Sequence, residues 1–153
     1  MRYMGIGATN EHARLIMESY GRLTGQPLLG EPATGVEPFE QLFQAPCVVL
    51  SHGTETDPVL NFGNRAALDL WEMDWDMFTS TPSRLTAEPM EREARAVFLK
   101  TVSEQGYIDN YTGIRISSTG RRFHIMKATV WNLIDETGKI HGQVAAFREH
   151  CPV

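Results

Sequence analysis

Three β-type runs separated by two short turns, all in the C-terminal part of the chain, constrain the fold more than any other feature. Tyr107 to Ser117, Arg121 to Asp135 and Ile140 to Glu149 are rich in β-branched and aromatic residues, the composition of half-buried strands. Ser118-Thr119-Gly120 and Glu136-Thr137-Gly138-Lys139 lie between them and carry turn chemistry. Strands joined by such short turns pair antiparallel. The region therefore folds as a three-stranded meander, whose apolar face needs cover from the rest of the chain.

The upstream residues supply that cover and two more strands. Residues 90–105 read as a helix, with Val97, Phe98 and Val102, and Ala94 beside them, as the buried face. Glu91, Arg92, Glu93, Arg95 and Lys100 make its solvated face, and Gly106 stops it. Cys47 to His52, behind Pro46, and Val59 to Phe62 read as two strands of a hairpin around the turn residues Gly53 to Pro58. Asn64 is placed to cap a helix from Arg65 to about Met73, a structural role, and Asp76 to Pro82 read as a short helical or looped segment. Trp71 and Trp75, four apart, read as core packing.

Near the start, Thr9 or Asn10 caps a helix whose apolar stripe is Leu15, Ile16, Tyr20 and Leu23, ended by Gly25 and Pro27. Residues 25–38 are an irregular Pro/Gly-rich connection, and Phe39, Leu42 and Phe43 fit one more helical turn. The division is thus residues 1–38, an N-terminal helix and its connection, and residues 39–153, the main domain. The class is α+β: a five-stranded antiparallel sheet with a helical crossover on one face and an N-terminal helix.

Length and charge exclude several classes. A chain of 153 residues with 42% hydrophobic and 22% charged residues makes one globular domain with a real core. A net charge of −5 argues against a dedicated nucleic-acid binder. No stretch reaches the roughly 20 apolar residues of a membrane span, and Met1 to Gly7 show no apolar segment of an export signal. The expected location is cytoplasmic, with Cys47 and Cys151 as reduced thiols.

The order of elements resembles the PAS fold. Val59-Leu60-Asn61-Phe62-Gly63-Asn64-Arg65-Ala66-Ala67-Leu68 looks like its second strand followed by an Asn-x-x-Ala helix, and the two meander turns look like its last hairpins. More closely, the chain resembles the MEKHLA family of PAS-like domains, of the kind found alone in bacteria and at the C-terminus of some plant homeodomain–leucine-zipper regulators. Leu50-Ser51-His52-Gly53-Thr54, Asn64 to Leu68, Pro82 to Pro89, Ile114 to Arg122 and Ala128 to Leu133 carry the likeness, which covers roughly Ala8 to Glu149. The resemblance implies a small-molecule or signal sensor and supplies no ligand. Photosensory PAS relatives carry a reactive Cys before the long helix; Pro82-Ser83-Arg84-Leu85-Thr86 has none here, so the resemblance does not extend to covalent flavin chemistry. Haem-binding relatives use a His on the long helix, and residues 90–105 contain none. The cofactor is left unassigned.

Candidate site residues follow from the long strand. Alternation puts Phe123, Ile125, Lys127, Thr129, Trp131 and Leu133 on one face, assigned here to the side of the helical crossover. That face offers an apolar wall with one cation, Lys127, for an anionic ligand, and one hydroxyl, Thr129. Phe62, Phe98 and Arg84, the last in the loop that PAS relatives place at the pocket mouth, complete the expected ligand-binding set. Equally, these residues are core, with Lys127 reaching the rim. Arg115, Arg121 and Arg122 read as surface charges. The five His residues are scattered without metal-ligand spacing, and Cys47 reads as a small buried apolar residue.

The expected function is a PAS-like sensory domain that binds a small, partly apolar molecule and signals through a partner protein or a dimer interface. No catalytic constellation is visible. The alternatives are a small isomerase or hydrolase using the same pocket, or a pure dimerisation module. The N-terminal stripe packs either on its own sheet or against a second chain to make a homodimer.

Overall fold

Thr9 opens the first helix, α1 (Asn10–Thr24), with its hydroxyl accepting the backbone N–H of His12 at 3.1 Å. Gly25 closes it in the left-handed region, φ 73°, as a side-chain-free residue can. The computed structural model describes residues 3–87 and 89–153. α2 (Pro38–Phe43) leads into β1 (Val48–His52) and β2 (Leu60–Gly63). α3 (Arg65–Trp71), α4 (Trp75–Phe78), a 3-10 turn (Ser83–Thr86) and α5 (Pro89–Gln105) then cross one face of the sheet. β3 (Tyr107–Ile116), β4 (Arg122–Ile134), β5 (Ile140–Phe147) and β6 (Glu149–Pro152) complete it.

The sheet is antiparallel with strand order β2-β1-β5-β4-β3, and β6 pairs with β4. It therefore has six strands where the sequence predicts five. β6 is the predicted last strand carried further: β4 pairs Thr129 with Ala146 on β5 and Met126 with Glu149 on β6, in one continuous register. The strand is interrupted at Arg148, across from Lys127, whose φ is 53°.

That interruption decides which side chains meet. On β3, Asn110 has φ 60° and the pairing with β4 shifts between Ile108 and Tyr111. A left-handed residue inside a strand re-aims the side chains that follow it. Lys127 and Arg148 lie on one line across neighbouring segments, with Asn110 within two residues of it on β3, and the in/out alternation reverses across that line. Ile125 before the line and Val130 after it face the same cavity, while Trp131 faces α1. The single inward face expected for Phe123 through Leu133 is therefore split in two.

α1 lies on the outer face of its own sheet, over β4. Trp131 Nε1 donates to Ser19 Oγ at 2.9 Å, the Tyr20 ring meets Trp131 edge-on at 4.9 Å, and the Arg22 guanidinium bonds the Ile134 carbonyl. Its central buried residues are His12, Ala13, Ile16 and Ser19, with Leu15, Tyr20 and Leu23 flanking them half-buried. The predicted apolar stripe is thus used within the chain. Trp131→Phe removes the indole N–H and leaves the Ser19 hydroxyl short of a donor; a loss of about 1–2 kcal/mol is expected in urea unfolding.

α5 turns a different face inward from the one its apolar residues predict. Val102 is fully buried, but Val97 is 68% exposed and Ala94 is exposed. The inward residues are Arg95, Phe98, Leu99 and Val102, spaced three, one and three apart along one helical face. Of the predicted solvated face, Arg95 turns in, and the side chain of Glu91 lies outside the described residues. Asn132 Nδ2 donates to Val102 O at 3.0 Å and Gln143 Nε2 to Leu99 O at 3.2 Å, fastening α5 to the sheet.

Asn64 fastens the other end of the crossover. Its Oδ1 accepts from Val49 N and Ala67 N, and its Nδ2 donates to Leu42 O and Cys47 O. It caps α3 as predicted and also ties that helix to β1 and to the end of α2. Trp71 and Trp75 are both buried core residues, on separate helices.

Candidate functional site

A cavity of about 50 Å³ lies between the sheet and the crossover helices. Its apolar wall comes from Leu50, Leu60, Ile125, Val130 and Phe147 on the sheet and from Phe98 and Leu99 on α5. Its polar lining includes His52, Trp71, Ser83, Thr86, Arg95, Tyr111, Arg115 and Gln143. The volume admits a few waters or one small molecule, well below the roughly 300–1,000 Å³ of a drug-sized site.

Among the described residues, two buried polar atoms of the lining side chains have no partner within hydrogen-bonding geometry: Nε2 of His52, whose ring lies beside the Gln143 side chain, and Nε1 of Trp71. Native interiors leave few such groups unsatisfied. His52 Nδ1 lies 2.9 Å from the carbonyl of Gly53, so it carries the proton there and leaves Nε2 as an acceptor. Burial holds the imidazole below its usual pKa, which keeps it neutral. Trp71, 1% exposed, offers only a donor. Two lining residues thus carry one acceptor and one donor that are unused among the described residues.

Two guanidiniums complete the lining. Arg115, 7% exposed, bonds the Ile114 carbonyl at 2.8 Å and the Tyr111 hydroxyl at 3.2 Å. The Tyr111 ring lies on Phe98 with centroids 3.9 Å apart. Arg95 bonds the Ser83 hydroxyl. Burial, and then the charge of Arg115, lower the pKa of Arg95 to about 10, so it remains charged at neutral pH.

Of the predicted ligand-binding residues, the structure brings Phe98 and Ile125 to the cavity. Phe123 lies beside it, edge-on to Trp71 at 5.2 Å. Trp131, and by alternation Thr129, fall on the α1 side because of the reversal at Lys127. Lys127 itself points to solvent and pairs with Glu149 at 3.2 Å. Phe62 is buried in an aromatic cluster with Phe39 and Trp75, away from the cavity. Arg84 is half-exposed and pairs with Asp57 at 3.1 Å, while its neighbours Ser83 and Thr86 reach the lining.

The sequence reading missed Arg95, Arg115, His52 and Trp71 as lining residues. The signal for Arg95 was its helical spacing from Phe98, Leu99 and Val102. Arg115, read as a surface charge, is buried because it sits on the inward face of β3, opposite Phe123. The cation and hydroxyl expected from Lys127 and Thr129 are supplied instead by these arginines and by Ser83 and Thr86.

Elsewhere, the Cys47 thiol is buried and its pKa is pushed up by that burial, which makes it a poor nucleophile. Among the described residues, no three His, Cys, Asp or Glu side chains lie close enough to hold a metal ion. None of the described helices is long and apolar enough to cross a membrane.

A meander sheet crossed on one face by short helices and one long helix, enclosing a small cavity, defines a PAS-like domain. The chain matches the PAS domain of a Colwellia psychrerythraea protein with a TM-score of 0.62 at 10% identity, over 74% of this chain and 91% of that one. It matches a light-oxygen-voltage domain studied with a flavin analogue at a TM-score of 0.57 and 16% identity, over 74% and 80% of the two chains. Within that class the chain belongs to the MEKHLA domain family, whose model matches residues 10–151. The Arabidopsis thaliana homeobox-leucine zipper protein ATHB-9 is 30% identical over 133 residues, 84% of this chain. The chain spans 16% of the length of that relative.

The light-oxygen-voltage likeness raises the question of a flavin. The lining does not fit one. The cavity is far too small for a flavin ring system, and neither cysteine reaches it: Cys47 is absent from the lining and Cys151 is exposed on β6.

Proposed function

We propose that this chain is a sensory domain that binds a small molecule in the cavity between sheet and crossover helices and passes its occupancy to a partner protein or a second copy. The observation that carries this reading is that two residues lining the hollow, His52 and Trp71, each keep a buried polar atom without a hydrogen-bond partner among the described residues, in a lining that already holds two arginines. A hollow serving only packing would be lined by apolar groups; unsatisfied polar groups cost about 1–3 kcal/mol each unless a ligand or water meets them. A ligand touching α3, α5 and β3 at once favours one packing of the crossover over others, the means by which binding shifts a population. Since the stripe of α1 already covers its own sheet, a homodimer through α1 would use that helix's outer, polar face.

The test is a melting experiment. The protein is unfolded, freed of small molecules, refolded, and melted with and without the dialysate of a cell extract. The midpoint is expected to rise by several degrees with the dialysate, through linkage of binding to folding. Ala145, on β5, also lines the cavity, and Ala145→Val, which adds two methyl groups to that wall, is expected to abolish the rise while retaining the fold. A wild-type midpoint unmoved by the dialysate would contradict the reading.

A further inference from the structure

Among the described residues, which leave out the side chains of Glu88 and Glu91, neither guanidinium in the cavity faces an acidic partner. Arg95 bonds a serine hydroxyl; Arg115 bonds a backbone carbonyl and a tyrosine hydroxyl. The ion pairs Arg84–Asp57, Lys127–Glu149 and His141–Asp135 lie elsewhere. This is unexpected in a chain with 19 acidic against 14 basic residues. A charge removed from water without a counter-charge costs several kcal/mol, and two like charges at close quarters add to that cost. The unpartnered indole N–H of Trp71 is one more donor at the same hollow.

We infer that the missing counter-charge is the ligand's: the cavity takes a small carboxylic acid, its carboxylate held by Arg95 and Arg115 and its apolar body against Leu50, Ile125 and Val130. The inference rests on the binding function proposed above and names the chemical class of its ligand. A carboxylate suits the site because a guanidinium presents parallel N–H groups that match its two oxygens. A hydroxyl on the acid has its acceptor in His52 Nε2.

The dialysate that stabilises the refolded protein is passed over an anion exchanger, and each fraction is returned to the melting experiment. The stabilising activity is expected in the retained fraction. Esterification of that fraction with methanol is expected to destroy it, and phosphatase treatment to leave it intact. Arg115→Gln and, separately, Arg95→Gln are expected to weaken the apparent affinity for the retained fraction by about tenfold or more, equivalent to 1.4 kcal/mol. The ligand-free Arg95→Gln protein is expected to melt no lower than the wild type, because it loses an uncompensated charge; a merely structural arginine would cost stability when removed. Activity in the flow-through overturns the inference and leaves the binding function standing. A phosphatase-labile activity replaces the carboxylate with a phosphate and overturns the assignment. Absence of activity in the starting dialysate refutes the binding function itself.

Discussion

Asn64→Ala is expected to cost about 4 kcal/mol, enough to unfold a marginal domain at body temperature. The side chain is fully buried and makes four hydrogen bonds to backbone groups of three different segments. Alanine leaves two N–H groups, of Val49 and Ala67, and two carbonyls, of Leu42 and Cys47, without those partners in a dry environment. Each orphan costs about 1–3 kcal/mol, reduced where water or a small shift recovers part of it. Asn64→Asp is no rescue, because it keeps the acceptor but turns a carboxylate oxygen toward two carbonyls. Urea unfolding at neutral pH reads both variants. A loss below 1 kcal/mol for Asn64→Ala would mean that α3 is held to β1 by its apolar contacts alone.

Acid is expected to weaken the fold through His12. Its Nε2 lies 3.0 Å from Ser51 Oγ, and that hydroxyl gives its proton to Asn61 Oδ1 at 2.5 Å, so the ring donates to the serine. Burial, with the nearby His141 adding to it, lowers the His12 pKa from 6.5 to about 4. The folded ring is therefore neutral where the unfolded ring takes up a proton. The unfolded state binds more protons between pH 6.5 and about 4, so the stability is full above that window and falls as the pH drops through it. The total is about 3 kcal/mol at 1.36 kcal/mol per pH unit. His52, lowered in the same direction by burial, adds to the loss. His12→Gln is expected to flatten the pH dependence of unfolding free energy, whatever it does to stability at pH 7. An unchanged slope in the variant would show that His12 titrates normally.

The element order was legible in the sequence because the hydrophobic period changes sharply at Gly106, from helical spacing on α5 to strand runs beyond it. Asn64 was legible for a similar reason, since an Asn just after a strand and before Arg65-Ala66-Ala67-Leu68 has few other uses. The cavity lining was mostly illegible, and Lys127 explains much of that. A lysine gives little warning of a left-handed backbone, whereas Asn110 belongs to the type that tolerates it. With the reversal at Lys127 unseen, alternation carried Trp131 and Thr129 to the wrong side. Arg95 is obscured by its charge: Val97 and Phe98 are adjacent and both apolar, which suggests a buried face through both, although only Phe98 turns inward. Its spacing from Phe98, Leu99 and Val102 was present in the sequence, but an inward arginine makes sense only once the hollow it faces is known.

The most direct test of the central claim is a native mass spectrum of the freshly purified protein set beside its denatured spectrum. An occupied cavity predicts an excess mass in the native spectrum that vanishes on denaturation, with the released species detected as a small acid in negative-ion mode. It also predicts that Ala145→Val, purified alongside, carries no excess. A native mass equal to the chain alone, together with a refolded protein whose melting the dialysate does not change, would contradict the account and leave the hollow as unfilled space in a packing domain.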